Sequence, residues 1–278
     1  MKTDQETPPP MADIDTASDD YATRFAGPSG QWLLDVQAQG TYKLLKQTSN
    51  VQTILDVGGG HAQLTELFLK NHRTLTIAGS APACSLRLQP FIASPRCQYI
   101  PANLLQLPFS VQSFDLVASF RLLTHCESWE ELVAQCCRVA RKYVLVDYPT
   151  TQSVNAIAPA FFGAKKKVER NTRYWHSFRH AEIDTAFTRN EFRRVATFKQ
   201  FFFPMALHRM LRSRMLSRVM EGIARGIGCT RMAGSPVIVL YERKTTTHEL
   251  CTCPDTANQH ILPNTIETTR AKPKGIHE

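Results

Sequence analysis

Three consecutive glycines, Gly58, Gly59 and Gly60, follow an apolar segment that contains Asp56. The surrounding sequence, residues 54–64, is ILDVGGGHAQL. Glycines after a strand allow a tight turn and let a ligand approach the backbone, and the helix that follows points its N-terminal N–H groups at that ligand. We therefore expect Asp56 and the glycines to line a ligand site. A glycine turn that binds nothing would share this pattern.

The spacing of these glycines excludes two common phosphate-binding motifs. The dinucleotide fingerprint G-x-G-x-x-G/A, read from Gly58, would end at Gln63, which is neither Gly nor Ala. The P-loop needs a G-K-[ST] sequence, and none follows the glycines. The sequence therefore indicates a different ligand.

Three other reactive side chains follow apolar segments that are expected to be strands. His125 comes after DLVASF, and Asp147 and Tyr148 lie at the end of YVLVDY. Since ligands bind at the carboxyl ends of parallel strands, we expect all three residues near the glycine turn. His125 is the first candidate for a general base, and Asp147 and Tyr148 could orient a substrate. Each could equally be a structural residue that caps its loop.

These side chains require a sheet to position them. Between Val51 and Pro149, short apolar runs alternate with segments of helical periodicity, which predicts a parallel sheet covered by helices on both faces. The expected strands are TILDV, TLTIAG, QYIPA, DLVASF and YVLVDY, followed by VATFKQFFF and SPVIVLYER. A single amphipathic helix is expected after Pro204, with an apolar stripe at Leu207, Leu211, Met215, Val219 and Ile223.

Composition sets the limits of this domain. The chain has 278 residues, and its apolar runs are too short to span a bilayer. We expect a disordered leader over residues 1–20, a disordered tail over 245–278, and a cytoplasmic protein with reduced cysteines. No metal site is expected, because Cys251-Thr-Cys253 lacks the usual ligand spacing.

Basic residues are concentrated in one part of the chain. The net charge is +9, and residues 161–232 contain 16 Lys and Arg against 5 Asp and Glu. Three interpretations stay open: a solvated surface, a cap that recognises an anionic or lipid-like small molecule near a membrane surface, and a nucleic-acid site. No separate RNA-binding module is visible, so nucleic acid is the least favoured partner.

Three stretches resemble the class I S-adenosylmethionine-dependent methyltransferases. They are ILDVGGGHAQL, the segment ANLLQLPFSVQSFDLVASFRLLTH at residues 102–125, and RVARKYVLVDYP at residues 138–149. The resemblance covers residues 21–244 and is closest to the small-molecule branch that includes quinone methyltransferases. It implies a doubly wound, mostly parallel, seven-stranded Rossmann-like α/β sheet, with a cofactor half over 48–150 and cap insertions over 151–187 and 204–231.

The resemblance also implies roles for particular residues. Asp56, the three glycines and the backbone of His61 would hold the amino acid end of S-adenosylmethionine. Asn103 takes the position of an acid that pairs with adenine, and Leu104 would pack beside the ring. Phe120 and Arg121 would lie beneath the methionine part.

One position departs from the family pattern. The second strand usually ends in an acid that holds both ribose hydroxyls, whereas TLTIAGS supplies Gly79 and Ser80. A serine hydroxyl can make only part of that contact.

Taken together, the resemblance and the basic segment predict methyl transfer to a small, anionic or lipid-like acceptor. A non-catalytic binding or scaffold protein, or an RNA-directed enzyme, stays open as an alternative.

Overall fold

The structure, a computed structural model, describes residues 12–154 and 175–244. The described residues form one seven-stranded sheet in the order β3-β2-β1-β4-β5-β7-β6. The strands are β1 (Thr53–Val57), β2 (Thr74–Gly79), β3 (Cys97–Pro101), β4 (Phe114–Ser119), β5 (Ala140–Tyr148), β6 (Phe192–Lys199) and β7 (Val237–Arg243). β1 to β5 pair in parallel, and β7 runs antiparallel to both of its neighbours. The predicted doubly wound, mostly parallel fold is confirmed.

Helices cover both faces of the sheet. They are α1 (Asp13–Thr16), α2 (Asp19–Thr23), α3 (Gly27–Leu45), α4 (Thr65–Phe68), α5 (Gln89–Ile92), α6 (Trp129–Val139), α7 (His180–Arg189), α8 (Met205–Leu211), α9 (Arg214–Gly226) and α10 (Cys229–Ala233). None of the helices in the described part of the chain is both long and apolar enough to cross a membrane.

Two apolar clusters, one on each face, hold these layers together. One contains Leu55, Val117 and Val144, and the other contains Ile54 and Leu116 from the same central strands. Successive side chains of a strand point to opposite faces, so a strand buried on both sides needs an unbroken apolar run. This is why ILDV and DLVA are apolar throughout except for their aspartates.

The prediction that residues 1–20 form a disordered leader is partly wrong. Of residues 1–20, those from 12 onward are described, and they form α1 and the start of α2. Ser18 caps α2 by accepting a hydrogen bond from the Tyr21 N–H, and Asp13 is fully buried. Polar composition suggested disorder here, but burial of Asp13 against the domain makes this segment part of the fold. The tail over 245–278 lies outside the described residues.

The cap insertions also differ from expectation. Residues 155–174, within the first insertion, lie outside the described residues. The last part of that insertion contains the start of α7. α7 places Ile183 and Phe187 in the core. The single helix expected after Pro204 is two helices, because Arg212 adopts a left-handed φ of 48° and Ser213 caps α9.

Candidate active site

The glycine turn begins with a backbone conformation that favours glycine. Gly58 has a φ of 78°, in the left-handed region, and its N–H donates to the Ala78 carbonyl at 2.8 Å. The chain then makes one 3-10 turn over Gly59–His61. A Cβ on Gly59 would collide with the Asp56 carboxylate. The turn therefore wraps closely around that carboxylate.

Asp56 is a buried acid without a protein partner. Its side chain is 1% exposed, and neither carboxylate oxygen has a hydrogen-bond partner among the described residues. Burial raises the pKa of Asp56 to about 7. An unpaired buried carboxylate is costly, so this position suits a ligand that brings N–H donors or positive charge.

A second carboxylate lies at the end of β2, where the sequence lacks an acid. Asp13, from α1, accepts hydrogen bonds from the Ser80 N–H at 2.7 Å and the Ser80 hydroxyl at 2.5 Å. The Cys84 thiol donates to the same carboxylate at 3.5 Å. Sequence reasoning missed Asp13, because 67 residues separate it from Ser80. The only local signal was an acid in a segment that we expected to be disordered.

α1 also lies directly on the glycine turn. A Cβ at Gly58 would lie 3.6 Å from the Asp13 Cβ, and one at Gly60 would lie 3.0 Å from the Ala17 Cβ. In this structure, side chains from residues 13–17 therefore fill space between the turn and the end of β2.

Asn103 and Leu104 are on the loop after β3. The side-chain oxygen of Asn103, Oδ1, accepts a hydrogen bond from the Leu105 N–H at 2.9 Å. One lone pair of Oδ1 and both hydrogens of the side-chain amide are left for another group. Leu104 is fully buried in the apolar cluster with Leu107 and Val117. We expected Leu104 to contact a ligand ring, but its side chain packs in the core.

His61 and Phe120 are also buried. The Gln63 N–H donates to His61 Nδ1 at 3.2 Å, and burial, with the nearby Arg121 charge, lowers the pKa of His61 to about 3. The ring of His61 is therefore neutral at physiological pH. The Phe120 ring packs near Phe68, with centroids 6.5 Å apart. Both rings pack in the interior, below the turn.

Arg121, Asp147 and Gln37 form a hydrogen-bonded group beyond β4 and β5. Arg121 has a φ of 60°, and its N–H donates to Asp147 Oδ1 at 2.6 Å. Gln37, from α3, donates to Asp147 Oδ2 at 3.1 Å and accepts from Arg121 Nη2 at 2.8 Å. Burial raises the pKa of Asp147 to about 6, although the Arg121 N–H and charge oppose that shift.

This group borders a cavity of about 80 Å³. Its other polar neighbours are Thr124, His125 and Gln200. The apolar residues that line it are Tyr21, Phe25, Leu33, Pro149, Trp175, Phe201, Met205 and Pro236. His125 meets the Trp175 ring edge-on, with centroids 5.2 Å apart. The structure thus brings His125, Asp147 and Arg121 to one cavity.

Two buried N–H groups of the cavity residues lack partners. Arg121 Nη1 and Gln200 Nε2 have no hydrogen-bond acceptor within the described ranges. Buried donors without acceptors are uncommon, so the cavity suits a ligand that supplies oxygen acceptors. Sequence analysis missed Gln37 and Gln200, because both come from elements remote in sequence.

Tyr148 does not join this group. Its hydroxyl is 2.9 Å from His180 Nδ1, and its ring contacts Phe178 in the core. Neighbouring side chains of a strand point to opposite faces, so Asp147 and Tyr148 cannot both face the cavity. The expectation that Tyr148 orients a substrate does not agree with this position.

Comparison with known families identifies the domain. Residues 55–145 match the family described as "Methyltransferase domain". The fold around this match is that of the class I S-adenosylmethionine-dependent methyltransferases. The matched segment runs from β1 to the middle of β5 and includes the glycine turn, Ser80 and Asn103. In a comparison with curated proteins, no sequence matched.

Solved structures confirm the methyltransferase fold. Magnesium protoporphyrin IX methyltransferase from Synechocystis PCC 6803, with bound SAH, has a TM-score of 0.56 at 12% identity, over 83% of this chain and 98% of that one. A complex of the Haloferax volcanii Trm112 activator with a putative methyltransferase has a TM-score of 0.55 at 13% identity, over 83% and 97%. A possible histamine N-methyltransferase from Thermotoga maritima has a TM-score of 0.55 at 11% identity, over 83% and 97%.

The residues at the glycine turn fit the cofactor of this family. The unpartnered Asp56 carboxylate suits an ammonium group. The turn itself requires glycine, because a Cβ on Gly58, Gly59 or Gly60 would come within 3 Å of other atoms of the protein. Asn103 keeps donors and one acceptor free for a heterocycle. Among the described residues, no group of acids, histidines and cysteines could hold a metal ion.

Proposed function

We propose that the enzyme methylates a hydroxyl group of a small acceptor that also carries a carbonyl or carboxylate oxygen. The observation that carries this proposal is the pair of unpartnered donors, Arg121 Nη1 and Gln200 Nε2, on an otherwise largely apolar cavity. An acceptor oxygen would satisfy both donors, and the aromatic walls would hold its apolar part.

Residues of the glycine turn would hold the cofactor. Asp56 would bind the ammonium group of S-adenosylmethionine, the backbone of Gly58–Gly60 would contact its amino acid end, and Asn103 would hydrogen-bond the adenine. S-adenosylmethionine supplies a methyl group on a sulfonium, which is already a strong electrophile. The protein therefore needs mainly to align the acceptor and exclude water.

Asp147 is the proposed general base. Its pKa of about 6 leaves it ionised at neutral pH, so it can accept the proton of an acceptor hydroxyl. Arg121 and Gln37 hold the carboxylate in place through the hydrogen bonds described above. His125 lines the same cavity beside Trp175 and is the second candidate for this role.

The size of the cavity limits what enters it. A volume of about 80 Å³ is well below the few hundred cubic ångströms of a typical site for a whole small ligand. We propose that only the reacting end of the acceptor enters. The rest, which we propose to be lipid-like, extends toward Trp175 and Met205 at the border.

Two measurements test the proposal. Calorimetry should detect binding of S-adenosylmethionine or its demethylated product, and absence of binding at millimolar ligand would remove the assigned cofactor site. A labelled-methyl screen should then compare matched acceptors with and without a carboxylate beside the hydroxyl. Equal turnover of both members of each pair would refute the assigned role of Arg121 and Gln200.

A further inference from the structure

The helix α9 exposes its apolar side and buries a polar one. Met215, Val219, Ile223 and Ile227 are 78%, 49%, 61% and 72% exposed. They are four residues apart, so they form one stripe along the helix and its last turn. Core-facing amphipathic helices show the opposite arrangement. The amphipathic pattern of the sequence is therefore confirmed, but the stripe does not face the core.

Polar contacts fix this orientation. Glu221, on the buried side, accepts from the N–H groups of Phe202 and Phe203, each at 2.9 Å. It also lies 3.0 Å from His208 Nε2. Ser217, one turn earlier on the same side, is fully buried. Rotating the helix to bury its apolar stripe would break these hydrogen bonds and leave the N–H groups of Phe202 and Phe203 without this acceptor.

The exposed charge beside the stripe is entirely positive. The segment 205–233 has six exposed arginines, Arg209, Arg212, Arg214, Arg218, Arg225 and Arg231. Its one acid, Glu221, is buried. Arg214 pairs with Asp35 of α3 at 3.1 Å. Arg218 falls on the same side of the helix as Arg214, next to the apolar stripe. Arg225 is also on that side, and its guanidinium donates to the Gln200 carbonyl at 2.8 Å.

We propose that this face of α9, the stripe with its flanking arginines, docks on an anionic lipid surface. Aliphatic side chains enter the boundary between headgroups and acyl chains, and arginines pair with lipid phosphates. This assignment goes beyond the catalytic proposal and does not depend on it, since none of the stripe residues lines the cavity.

Two other occupants fit the face less well. A second copy of the chain, packed through the same face around a two-fold axis, would bring two sets of arginines together. Single-stranded nucleic acid is held by stacking on aromatic side chains, and the stripe has none. An anionic lipid surface alone satisfies both the aliphatic stripe and the positive border.

The test uses the full chain and two kinds of liposome. The protein should float with vesicles of phosphatidylcholine containing phosphatidylglycerol, and should stay unbound with phosphatidylcholine alone. Ile223→Glu should reduce binding to the anionic vesicles about tenfold or more, because it places an acid where the apolar side chain would enter the lipid. Arg218→Glu should reduce it several-fold.

Val111→Glu is the matched control. Val111 is 62% exposed and lies outside the segment 205–233, so the same change should leave vesicle binding as it is. Unfolding temperature and S-adenosylmethionine affinity should be unchanged in Ile223→Glu, which separates lipid contact from folding and from catalysis. Equal binding by wild type and Ile223→Glu would overturn the proposal. So would a stable dimer that Ile223→Glu disrupts in the absence of vesicle binding.

Discussion

At the scale of single residues, two buried aspartates of the same sheet have opposite environments. Asp115 accepts hydrogen bonds from the N–H groups of Gln52 and Thr53 and pairs with Arg141 at 2.7 Å. Burial alone would raise the pKa of Asp115, but these contacts outweigh it and hold the pKa below its usual value. Asp56 has no such contacts, and its pKa is raised to about 7. The first stabilises the fold, and the second is kept for a ligand.

This contrast predicts opposite effects for the same substitution. Because folding raises the pKa of Asp56, its contribution to stability is full below an aspartate's ordinary pKa of about 4 and is lost as the pH rises through about 7. Asp56→Asn should therefore stabilise the cofactor-free protein at pH 8, by roughly 1–3 kcal/mol, and weaken S-adenosylmethionine binding at least tenfold. Denaturant unfolding and calorimetry measure the two effects.

Asp115→Asn is the control for that prediction. Because the folded pKa of Asp115 is lowered, its stabilising contribution is present above the ordinary aspartate pKa and is lost in acid. The substitution should destabilise the protein at pH 8 and leave cofactor affinity unchanged. If Asp56→Asn also destabilised the protein, the carboxylate would have a partner that the structure does not show.

A second prediction concerns Asp147. If Asp147 is the general base, kcat/KM should rise with pH through an apparent pKa near 6, as the carboxylate of the free enzyme ionises. Asp147→Asn should lower kcat by roughly 10²–10⁴-fold and remove that rise in kcat/KM, with little change in cofactor affinity. A pH profile of kcat/KM that keeps the same rise in the variant would transfer the role to another group, with His125 the next to test.

At the scale of elements, α1 packs against the glycine turn. Asp13 accepts hydrogen bonds from Ser80, and a Cβ at Gly60 would lie 3.0 Å from the Ala17 Cβ. If the nucleoside uses this space, α1 must move for the site to fill. The apparent affinity then equals the intrinsic affinity multiplied by the fraction of molecules in which α1 is displaced.

This competition predicts an unusual gain of affinity. Asp13→Ala removes the hydrogen bonds to Ser80, so it should favour displacement of α1 and tighten S-adenosylmethionine binding several-fold, about 1 kcal/mol. Calorimetry checks the direction. Asp15→Ala is a comparable change in the same helix outside the contacts with Ser80, and it should have a smaller effect. A large loss of affinity in Asp13→Ala would mean instead that Asp13 holds the ribose in place of the missing second-strand acid.

At the scale of the whole molecule, charge and chemistry are separated. The cavity combines residues from α2, α3, β5 and the loops beyond β4 and β6, whereas the arginines concentrate on the segment 205–233. Raising the salt concentration should therefore weaken binding to anionic vesicles by about tenfold between 0.05 and 0.5 M, because screening shortens the reach of exposed charges. Binding of the demethylated cofactor product, measured in parallel, should change far less. Parallel loss of both would contradict the separation.

The sequence by itself determined the sheet, the turn and the methyl donor. Unbroken apolar strands, three glycines and the acid before them are local features, and the backbone geometry they impose does not depend on distant residues. Asp56 therefore lies in β1 and Gly58 in the turn after it, while the roles of Asp56, Gly58, His125 and Asp147 stay predictions. The strand alternation that removes Tyr148 from the cavity was also available in the sequence, since adjacent strand residues face opposite sides.

Only the tertiary structure decided which distant groups meet. Asp13 reaches Ser80 across 67 residues, and Gln37 reaches Asp147 across 110. The apolar stripe of α9 shows the same limit, because periodicity defines two sides of a helix but does not say which side faces the core. Here the buried side is the one that carries Glu221, which accepts hydrogen bonds from the N–H groups of Phe202 and Phe203.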